Sequence, residues 1–444
     1  MKTSFGILGM VTVAGMALAG CQSAETSEFQ RVASSLEPVK KQAAKAGVIT
    51  TRQELQAIID ETASPEDWKV LDDSIKKFSE SKKRSGFNND IVKLIDQDLP
   101  KDQAFISAMF KEISPALDEV VAGSKGGRVS IHRDWTKGHM STIIFPEYAL
   151  IMDVVKALCY RANWHAKQGR GSEALADLKS ALSIGRISGS EPTLIGYLVE
   201  TSCVALVSRS WETCLVSMKA NQAFLDESRL VFSERPERKG SWHVGAELLF
   251  RLEYCENPKL INQPIVDAAG EGEVGPNINL PNVDYALMGK AFTVRALEST
   301  IELNKAFDSE SYKESSEKLA AFDVRLNETK DPTMIIEQFA SPVYSQANMT
   351  RFKTKNLAAC RLAMIDVLTF KNKNGRYPKT LEEVGVKSLD LFTEKPLKYK
   401  QTPTGVVVYS VGSDLTDNGG NTLRVDSKSD DAIAYPFMPP KTQK

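Results

Sequence analysis

The chain has 444 residues, of which 42% are hydrophobic, 25% charged and 8% aromatic, and its 56 Lys and Arg residues nearly balance its 57 Asp and Glu residues. These values are typical of a folded protein of about two domains, and they exclude a disordered tail protein, a collagen and a multispan membrane protein. A net charge of −1 also argues against nucleic acid as a partner, because binding to phosphates requires a surplus of basic residues.

The first twenty residues have the features of an export signal. Lys2 supplies a positive charge, residues 5–19 carry no charge and are too few to span a membrane, and the segment ends in Leu18-Ala19-Gly20-Cys21. This run resembles the lipobox of bacterial lipoproteins, in which the cysteine takes the lipid. The resemblance implies that residues 1–20 are a signal peptide and that acyl chains such as palmitate on Cys21 anchor the mature chain to a membrane. An ordinary secretory signal with a chance cysteine is the alternative.

The residues after Cys21 predict a location and a tether. Residue 22 is Gln and not Asp, and by the sorting rule of lipoproteins in two-membraned bacteria this implies the periplasmic face of the outer membrane. Residues 21–28 are small and polar, so we expect a flexible tether. No later segment predicts a membrane span. Residues 194–218, the most apolar stretch, contain Glu200, Arg209 and Glu212 and are typical of a buried helix.

Residues 29–350 predict a helical domain, because start signals for helices recur and apolar residues follow them at helical spacing. The start signals are the capping boxes Thr51/Glu54 and Ser311/Glu314, and the N-cap Ser64 before Pro65.

One helical hairpin lies at the centre of this domain. Residues 148–168 have an amphipathic pattern, Gly169-Arg170-Gly171 interrupts it, and Glu173-Ala174-Leu175-Ala176-Asp177-Leu178 opens the next helix. This pattern, placed after a glycine-rich break, resembles the second helix of a tetratricopeptide repeat. The resemblance implies two antiparallel helices in close contact. It covers about 34 residues, and no second clear copy supports an array. We expect further helices over residues 192–218 and up to residue 234.

The cysteines and histidines predict no catalytic centre. Besides Cys21 the chain has five cysteines without a CxxC spacing, which we expect to be small buried residues, and their disulfide pairing stays open. His132, Asp134 and His139 lie close in sequence and His165 could join them, but the spacings of the known zinc enzymes are absent. A Walker loop, a dinucleotide fingerprint and a nucleophile elbow are absent too, which favours a binding or structural protein.

Residues 351–444 have a different pattern. A helix is expected to stop at the run 374–378, and three strand-like segments follow at 396–400, 406–411 and 432–437. This order resembles the globular C-terminal domain of the major pseudopilin of type II secretion, and the matching pieces are Asn374-Gly375-Arg376-Tyr377-Pro378, Lys395-Pro396-Leu397-Lys398-Tyr399, Tyr409-Ser410-Val411-Gly412-Ser413-Asp414 and Asp430-Asp431. The resemblance implies a small α+β domain with a three-stranded antiparallel sheet. Pilus assembly is not carried over, because this chain begins with a lipobox and a long helical domain.

The resemblance also implies a calcium site in the loop before the last strand. Five aspartates lie between residues 414 and 431. Carboxylates this close in sequence repel one another unless solvent, a basic residue or a dication neutralises them, and oxygen ligands with interspersed glycines suit Ca²⁺. A solvated turn rich in Asp and Gly is the alternative. The expected ligands, with Asp414 and Asp430 foremost, are Asp414, Asp417, Asp426, Asp430 and Asp431.

We therefore expect a mainly α protein, a bundle of helical hairpins that is tetratricopeptide-like in part, followed by a small α+β domain. The leading hypothesis is a lipid-anchored envelope protein without catalysis, whose helical body binds a protein partner or has a structural role. The first alternative is an accessory component of a type II secretion or pilus-like apparatus. The second is an envelope hydrolase that uses His132, Asp134, His139 or His165. Apart from calcium, no cofactor is expected.

Overall fold

The structure is a computed structural model that describes residues 22–88, 90–91, 95, 100–125, 129–233, 238–262, 265–266, 272–273, 278–340, 344–420 and 433–437. Within these ranges the chain is mainly helical and has a small C-terminal part that contains strands, which confirms the predicted fold class at this level. Cys21 and residues 1–20, predicted as the lipidated cysteine and the signal peptide, lie outside the described residues.

The helices in chain order are α1 (Gln22–Ala33), α2 (Leu36–Lys45), α3 (Arg52–Thr62), α4 (Pro65–Ser85), α5 (Pro100–Gly123), α6 (Pro146–Lys167), α7 (Gly171–Gly185), α8 (Leu194–Ser217), α9 (Gln222–Phe232), α10 (Glu247–Glu256), α11 (Tyr285–Phe307), α12 (Tyr312–Glu328), α13 (Ile335–Ala340) and α14 (Tyr344–Asn374). The strands are β1 (Ile265–Val266), β2 (Gly272–Glu273), β3 (Leu389–Asp390), β4 (Lys395–Pro396), β5 (Lys398–Thr402), β6 (Gly405–Ser410) and β7 (Ile433–Phe437).

The predicted helix starts follow from local capping chemistry. Helix α3 begins after Thr51, whose side chain and that of Glu54 form both halves of the capping box. Helix α4 begins at a proline after the N-cap Ser64. Ser311 caps α12 as expected, but the second half of its box is not formed, because Glu314 accepts a hydrogen bond from Ser309 Oγ at 2.9 Å instead.

Helices α6, α7 and α8 pack against one another at the centre of the molecule. Between α6 and α7 the chain turns at Gly169, whose φ of 73° lies in the left-handed region that glycine adopts at low cost. Helices α7 and α8 approach closely at Gly185, since a Cβ atom there would lie 2.5 Å from Cys203 Cβ. The helix predicted over the apolar stretch is confirmed as α8, and Trp211 is fully buried in it.

The N-terminal residues are helical where a flexible tether was expected. Residues 22–28 belong to α1, and the ring of Phe29 packs edge-on against Phe292 of α11 with 5.8 Å between ring centroids. Glu25 in the first turn and Arg31 in the last turn suit the helix dipole. Burial of Phe29 against α11 holds this segment in helical form.

The largest core cluster joins the middle of the chain to the C-terminal strands. It contains Phe78 of α4, Trp211 of α8, Leu368 of α14 and Val408 of β6. Helix α14 runs across residue 350, where the sequence placed the domain boundary, so residues on both sides of that position share one helix and one apolar core.

The C-terminal part is built on the end of α14. This helix stops at Asn374, and Gly375 follows with a φ of 72°, as predicted from the glycine and proline in that run. Strand β5 pairs antiparallel with β6, and β6 pairs antiparallel with β7. A short 3₁₀ turn follows at Glu382–Val384, with Leu381 at its N-cap position.

Candidate functional site

A polar loop lies at the centre of the molecule. Residues 187–193 connect α7 to α8 and are all buried, although connecting segments normally run over the surface. Burial of such a loop requires that its polar groups find partners. Ser188 Oγ donates to the carbonyl of Gly185 at 2.6 Å, and Ser190 Oγ donates to the carbonyl of Ile187 at 2.7 Å and accepts from Ile131 N at 3.1 Å.

Glu191 holds this loop in place through a buried ion pair. Its carboxylate accepts from Arg133 Nε at 2.9 Å and from the Tyr148 hydroxyl at 3.0 Å. Arg133 Nη2 also donates to Glu147 Oε1 at 2.9 Å. Burial raises the pKa of the Glu191 carboxyl, and the guanidinium of Arg133 opposes this rise. We interpret this network as an anchor, because the Glu191 carboxylate binds Arg133 and Tyr148, which lie outside the loop.

A cleft of about 450 Å³ opens beside the buried loop. It lies where the segment after α2, the segment 238–245 and the C-terminal half of α11 meet. Its lining residues are Gly47, Val48, Ile49, Thr62, Ser130, Ser190, Arg238, Lys239, Ser241, Trp242, Gly245, Thr300 and Asn304.

The lining combines basic, hydroxyl and amide groups with one indole ring. Arg238 and Lys239 are exposed, and the described residues offer neither of them an ion-pair partner. The guanidinium carbon of Arg238 lies 6.0 Å from the centre of the Trp242 ring. The buried Oδ1 atom of Asn304 has no hydrogen-bond donor within the described part of the chain. The set of lining residues contains no carboxylate, imidazole or thiol.

The segment that carries the basic residues is fixed to the end of α11. Ser241 donates from its backbone nitrogen and from its hydroxyl to the carboxylate of Asp308, at 2.8 and 3.0 Å. A Cβ atom at Gly240 would lie 1.8 Å from the carbonyl oxygen of Phe307, so only glycine fits there. Trp242 Nε1 donates to the carbonyl of Gly189 at 3.4 Å, which connects this wall of the cleft to the buried loop.

His243 lies directly after the cleft-lining tryptophan. Its ring is buried and stacks on Tyr197 with 4.0 Å between ring centroids. Burial, together with the positive charges of Arg238 and Arg351, lowers the pKa of His243 to about 3. Burial is the largest cause of this shift, and the two guanidinium groups add to it.

The predicted calcium ligands are described in part. Asp414 Oδ1 accepts from Thr416 N at 2.9 Å, as in a turn closed by its own aspartate. Asp417 Oδ1 accepts from Gly419 N and from the Tyr409 hydroxyl, both at 3.0 Å, and its other oxygen lies 3.3 Å from Lys398 Nζ. Hydrogen bonding to Gly419 N, with smaller contributions from Tyr409 and Lys398, lowers the pKa of Asp417. The other three predicted ligands lie outside the described residues: Asp426, Asp430 and Asp431.

These contacts bear differently on the two carboxylates as calcium ligands. Asp417 Oδ2 already lies beside the ammonium group of Lys398, so calcium would have to displace Lys398 there. Asp414 has no such cation among the described ion pairs. In the part of the chain that the structure describes, no three His, Cys, Asp or Glu side chains converge as metal ligands.

The four residues considered for a hydrolase each have a partner of their own. Burial lowers the pKa of His165 to about 4. The partner contacts are His132 Nε2 to Asp60 Oδ1 at 2.9 Å, His139 Nδ1 to Glu253 Oε1 at 3.0 Å, His165 Nε2 to Asp177 Oδ2 at 3.7 Å, and Asp134 Oδ2 to Lys137 Nζ at 2.8 Å. The four residues therefore contact four different partners, namely Asp60, Glu253, Asp177 and Lys137.

The expectation for the cysteines is confirmed. Five cysteines are buried, and no disulfide joins any two of them: Cys159, Cys203, Cys214, Cys255 and Cys360. Burial raises the pKa of each of these thiols, so they are poor nucleophiles and are held as small apolar side chains.

Sequence reasoning missed the cleft. The only local signal was two basic residues just before a tryptophan, Arg238 and Lys239 before Trp242, in a polar segment. Comparisons with protein-family models, with curated proteins and with solved structures find no match to this chain. Within the described residues, no helix has both the length and the apolar character required to cross a bilayer.

Proposed function

We propose that the chain is a lipid-anchored, non-catalytic binding protein of the cell envelope, whose helical body holds a partner or ligand in the cleft. The observation that carries the binding role is the composition of the cleft lining. Its polar groups are hydroxyls, an amide and two cations, with no carboxylate, imidazole or thiol. General acid–base catalysis most often uses a histidine or a carboxylate, and a hydroxyl nucleophile needs an adjacent base, whereas binding needs neither.

The anchoring part of the proposal rests on the run Leu18-Ala19-Gly20-Cys21. Helix α1 begins at Gln22, one residue after the cysteine, and Phe29 of this helix packs into the body. An acyl group on Cys21 would therefore hold the helical body close to the membrane surface. In a two-membraned bacterium, Gln22 favours the periplasmic face of the outer membrane.

Substitution of Cys21 by Ser tests the anchor. We expect the unaltered chain to incorporate radiolabelled palmitate and to sediment with membranes, and the Cys21→Ser form to do neither. Cys159→Ser is the matched control, because that thiol is buried in the helical body, and it should leave labelling and sedimentation unchanged. If the Cys21→Ser form sediments with membranes as the unaltered chain does, and no label enters either form, the anchoring proposal is wrong.

A role as an accessory component of a type II secretion or pilus-like apparatus is the second candidate. It is favoured by the loop after α14, where the Tyr399 hydroxyl and Gln401 Nε2 both donate to the carbonyl of Pro378, at 2.9 and 2.8 Å. These bonds tie the run 374–378 to strand β5, in the order expected for a pseudopilin-like domain. Capture of the tagged chain from native membranes should enrich secretion proteins, and their absence would remove this candidate.

Two finer features belong to the same proposal. We take the hairpin of α6 and α7 to be tetratricopeptide-like, and the C-terminal part to be a pseudopilin-like domain with a three-stranded sheet. We also propose that the loop around Asp414 binds calcium with the help of Asp430, so that a dication neutralises a loop rich in carboxylates.

A further inference from the structure

We propose that the cleft binds a small acidic sugar, in which a carboxylate or phosphate oxyanion is attached to a hydroxylated ring. This inference rests on the proposed binding function and names the chemical class of its ligand. Charge, hydrogen-bonding groups, ring contact and volume each support it.

The charge of the cleft favours an anion. Arg238 and Lys239 are exposed on its wall, and no carboxylate is among the lining residues. Asp308, which contacts the lining residue Ser241, already accepts two hydrogen bonds from it. Within the described lining, an oxyanion that enters the cleft therefore meets two cations and no carboxylate. A guanidinium group binds a carboxylate or a phosphate through two parallel hydrogen bonds.

The remaining polar groups suit a hydroxylated ring. Thr62, Ser130, Ser190, Ser241 and Thr300 provide hydroxyl groups along the lining. The hydroxyls of Thr62, Ser190, Ser241 and Thr300 already donate within the protein. Their oxygens can still accept hydrogen bonds from the hydroxyls of a sugar.

Asn304 supplies an acceptor that the protein does not use. Its buried Oδ1 has no donor within the described part of the chain, and a buried acceptor without a donor costs about 1–3 kcal/mol. A ligand hydroxyl that donates to this oxygen would remove that cost.

Trp242 gives the cleft a flat apolar surface. The indole is held by its hydrogen bond to the carbonyl of Gly189 and by the fixed segment around Gly240. A pre-positioned aromatic face binds a ring with little loss of conformational entropy. A cleft of about 450 Å³ lies in the range of small-molecule sites, and it is large enough for a monosaccharide derivative.

Isothermal titration of the full chain, purified in detergent, tests the ligand class. The acidic probes are glucuronate, galacturonate, glucose 6-phosphate and galactose 6-phosphate, and the neutral counterparts are glucose and galactose. We expect at least one acidic probe to bind about tenfold more tightly than its neutral counterpart. The uronates and the phosphate esters form separate arms that distinguish a carboxylate ligand from a phosphate ligand. If no acidic probe binds more tightly than its neutral counterpart, the inference is overturned.

Variants locate the binding. Arg238→Gln with Lys239→Gln should weaken the acidic probe about tenfold and leave the neutral sugar unchanged. Lys179→Gln with Lys387→Gln removes the same charge from exposed positions outside the cleft and should have no effect. Asn304→Asp has nearly the same shape but adds an anion, so it should also weaken the acidic probe. All variants must melt at the same temperature as the unaltered chain. Equal affinities of all variants for the acidic probe would overturn the inference.

The outcomes separate this inference from the proposed function. Turnover of a bound probe would contradict the non-catalytic function and leave the ligand class standing. Tight binding of a neutral sugar alone, lost when Trp242 is replaced by Ala, would overturn the acidic ligand class and leave the binding function standing.

Discussion

The side-chain amide of Asn356 donates a hydrogen bond to Oδ1 of Asp390 at 3.0 Å. The same oxygen accepts from Ser410 Oγ and from Phe392 N, both at 2.9 Å, and Oδ2 accepts from Val411 N at 3.0 Å. The carboxylate is 1% exposed and joins α14, the turn after β3 and the end of β6. The side chain of Asp390 therefore faces four donors.

Asp390→Asn is therefore expected to destabilise the C-terminal part. The new amide group places a donor against at least one of the four donors, and the free energy of unfolding should fall by about 3 kcal/mol. Urea denaturation measures the loss, and limited proteolysis shows whether the C-terminal part is cut first. Asp226→Asn, at an exposed position in α9, is the control and should change stability by less than about 0.5 kcal/mol. Equal stability of the two variants would contradict the role given to Asp390.

The pair of Arg161 and Asp177 connects α6 to α7 inside the core. Arg161 Nε and Nη2 donate to the two Asp177 oxygens at 2.9 and 2.7 Å, and both residues are buried. Arg161→Met should lower the free energy of unfolding by about 3–5 kcal/mol, because it leaves a buried carboxylate without its cation. Arg161→Met with Asp177→Leu should recover most of the loss. If the double variant is as unstable as the single one, the loss comes from packing and not from the unpaired charge.

The loss of stability in Arg161→Met should depend on pH with a definite sign. Burial raises the pKa of Asp177, and Arg161 opposes that rise. Without Arg161 the pKa of Asp177 should rise further. A carboxyl group whose pKa is higher in the folded than in the unfolded state stabilises the folded state as the pH falls through that pKa. The loss of stability in Arg161→Met should therefore shrink as the pH falls below that raised pKa.

The control for the buried pair is Arg325→Met, which breaks an ion pair with Glu302. These two side chains are 51% and 36% exposed, so the variant should lower the free energy of unfolding by at most about 1 kcal/mol.

His243 is expected to destabilise the folded state in acid. Its pKa is about 3 when folded, against 6.5 for a free histidine, so below pH 6.5 the unfolded chain binds a proton that the folded chain does not. Stability should fall by about 1.4 kcal/mol per pH unit from this group as the pH drops from 6.5 towards 3. His243→Phe keeps a ring against Tyr197 and should remove this contribution to the slope in melts between pH 7 and pH 4.5. The contribution of His165, whose pKa is lowered to about 4, should remain.

A matched control separates this effect from the loss of any histidine. The side chain of His139 is 73% exposed, and His139→Phe should leave the slope in place. Parallel melting curves for the unaltered chain and His243→Phe across that pH range would contradict the assignment.

Calcium should raise the melting temperature if the loop around Asp414 binds it, because a ligand of the folded state stabilises that state by mass action. We expect a rise of about 2 °C or more at millimolar calcium, abolished by a chelator and reduced by Asp414→Asn. Lys398→Gln removes the cation beside Asp417 Oδ2 and should increase the calcium-dependent rise in melting temperature if Asp417 is a ligand. Unchanged melting with and without calcium would count against the site.

The features that sequence reasoning predicted correctly depend on neighbouring residues. Thr51 and Glu54 lie three positions apart, and the side chain of Ser64 meets the first turn of its own helix. Such contacts form whatever the rest of the chain does, so helix starts, the stop at Gly375 and the buried cysteine-containing helix α8 could be predicted.

Contacts between distant segments decided the rest. Ser, Gly and Pro in residues 187–193 suggest a surface loop, yet Arg133 and Ile131, more than fifty positions earlier, hold it in the core. The cleft walls come from residues 47–49, 130, 190, 238–245 and 300–304, which share no periodicity. By itself the sequence determined where several helices begin and end, and it predicts a lipidation signal, since both depend on local chemistry. Only the tertiary structure brought Arg238, Trp242 and Asn304 to one cleft, because packing and not spacing along the chain sets which side chains meet.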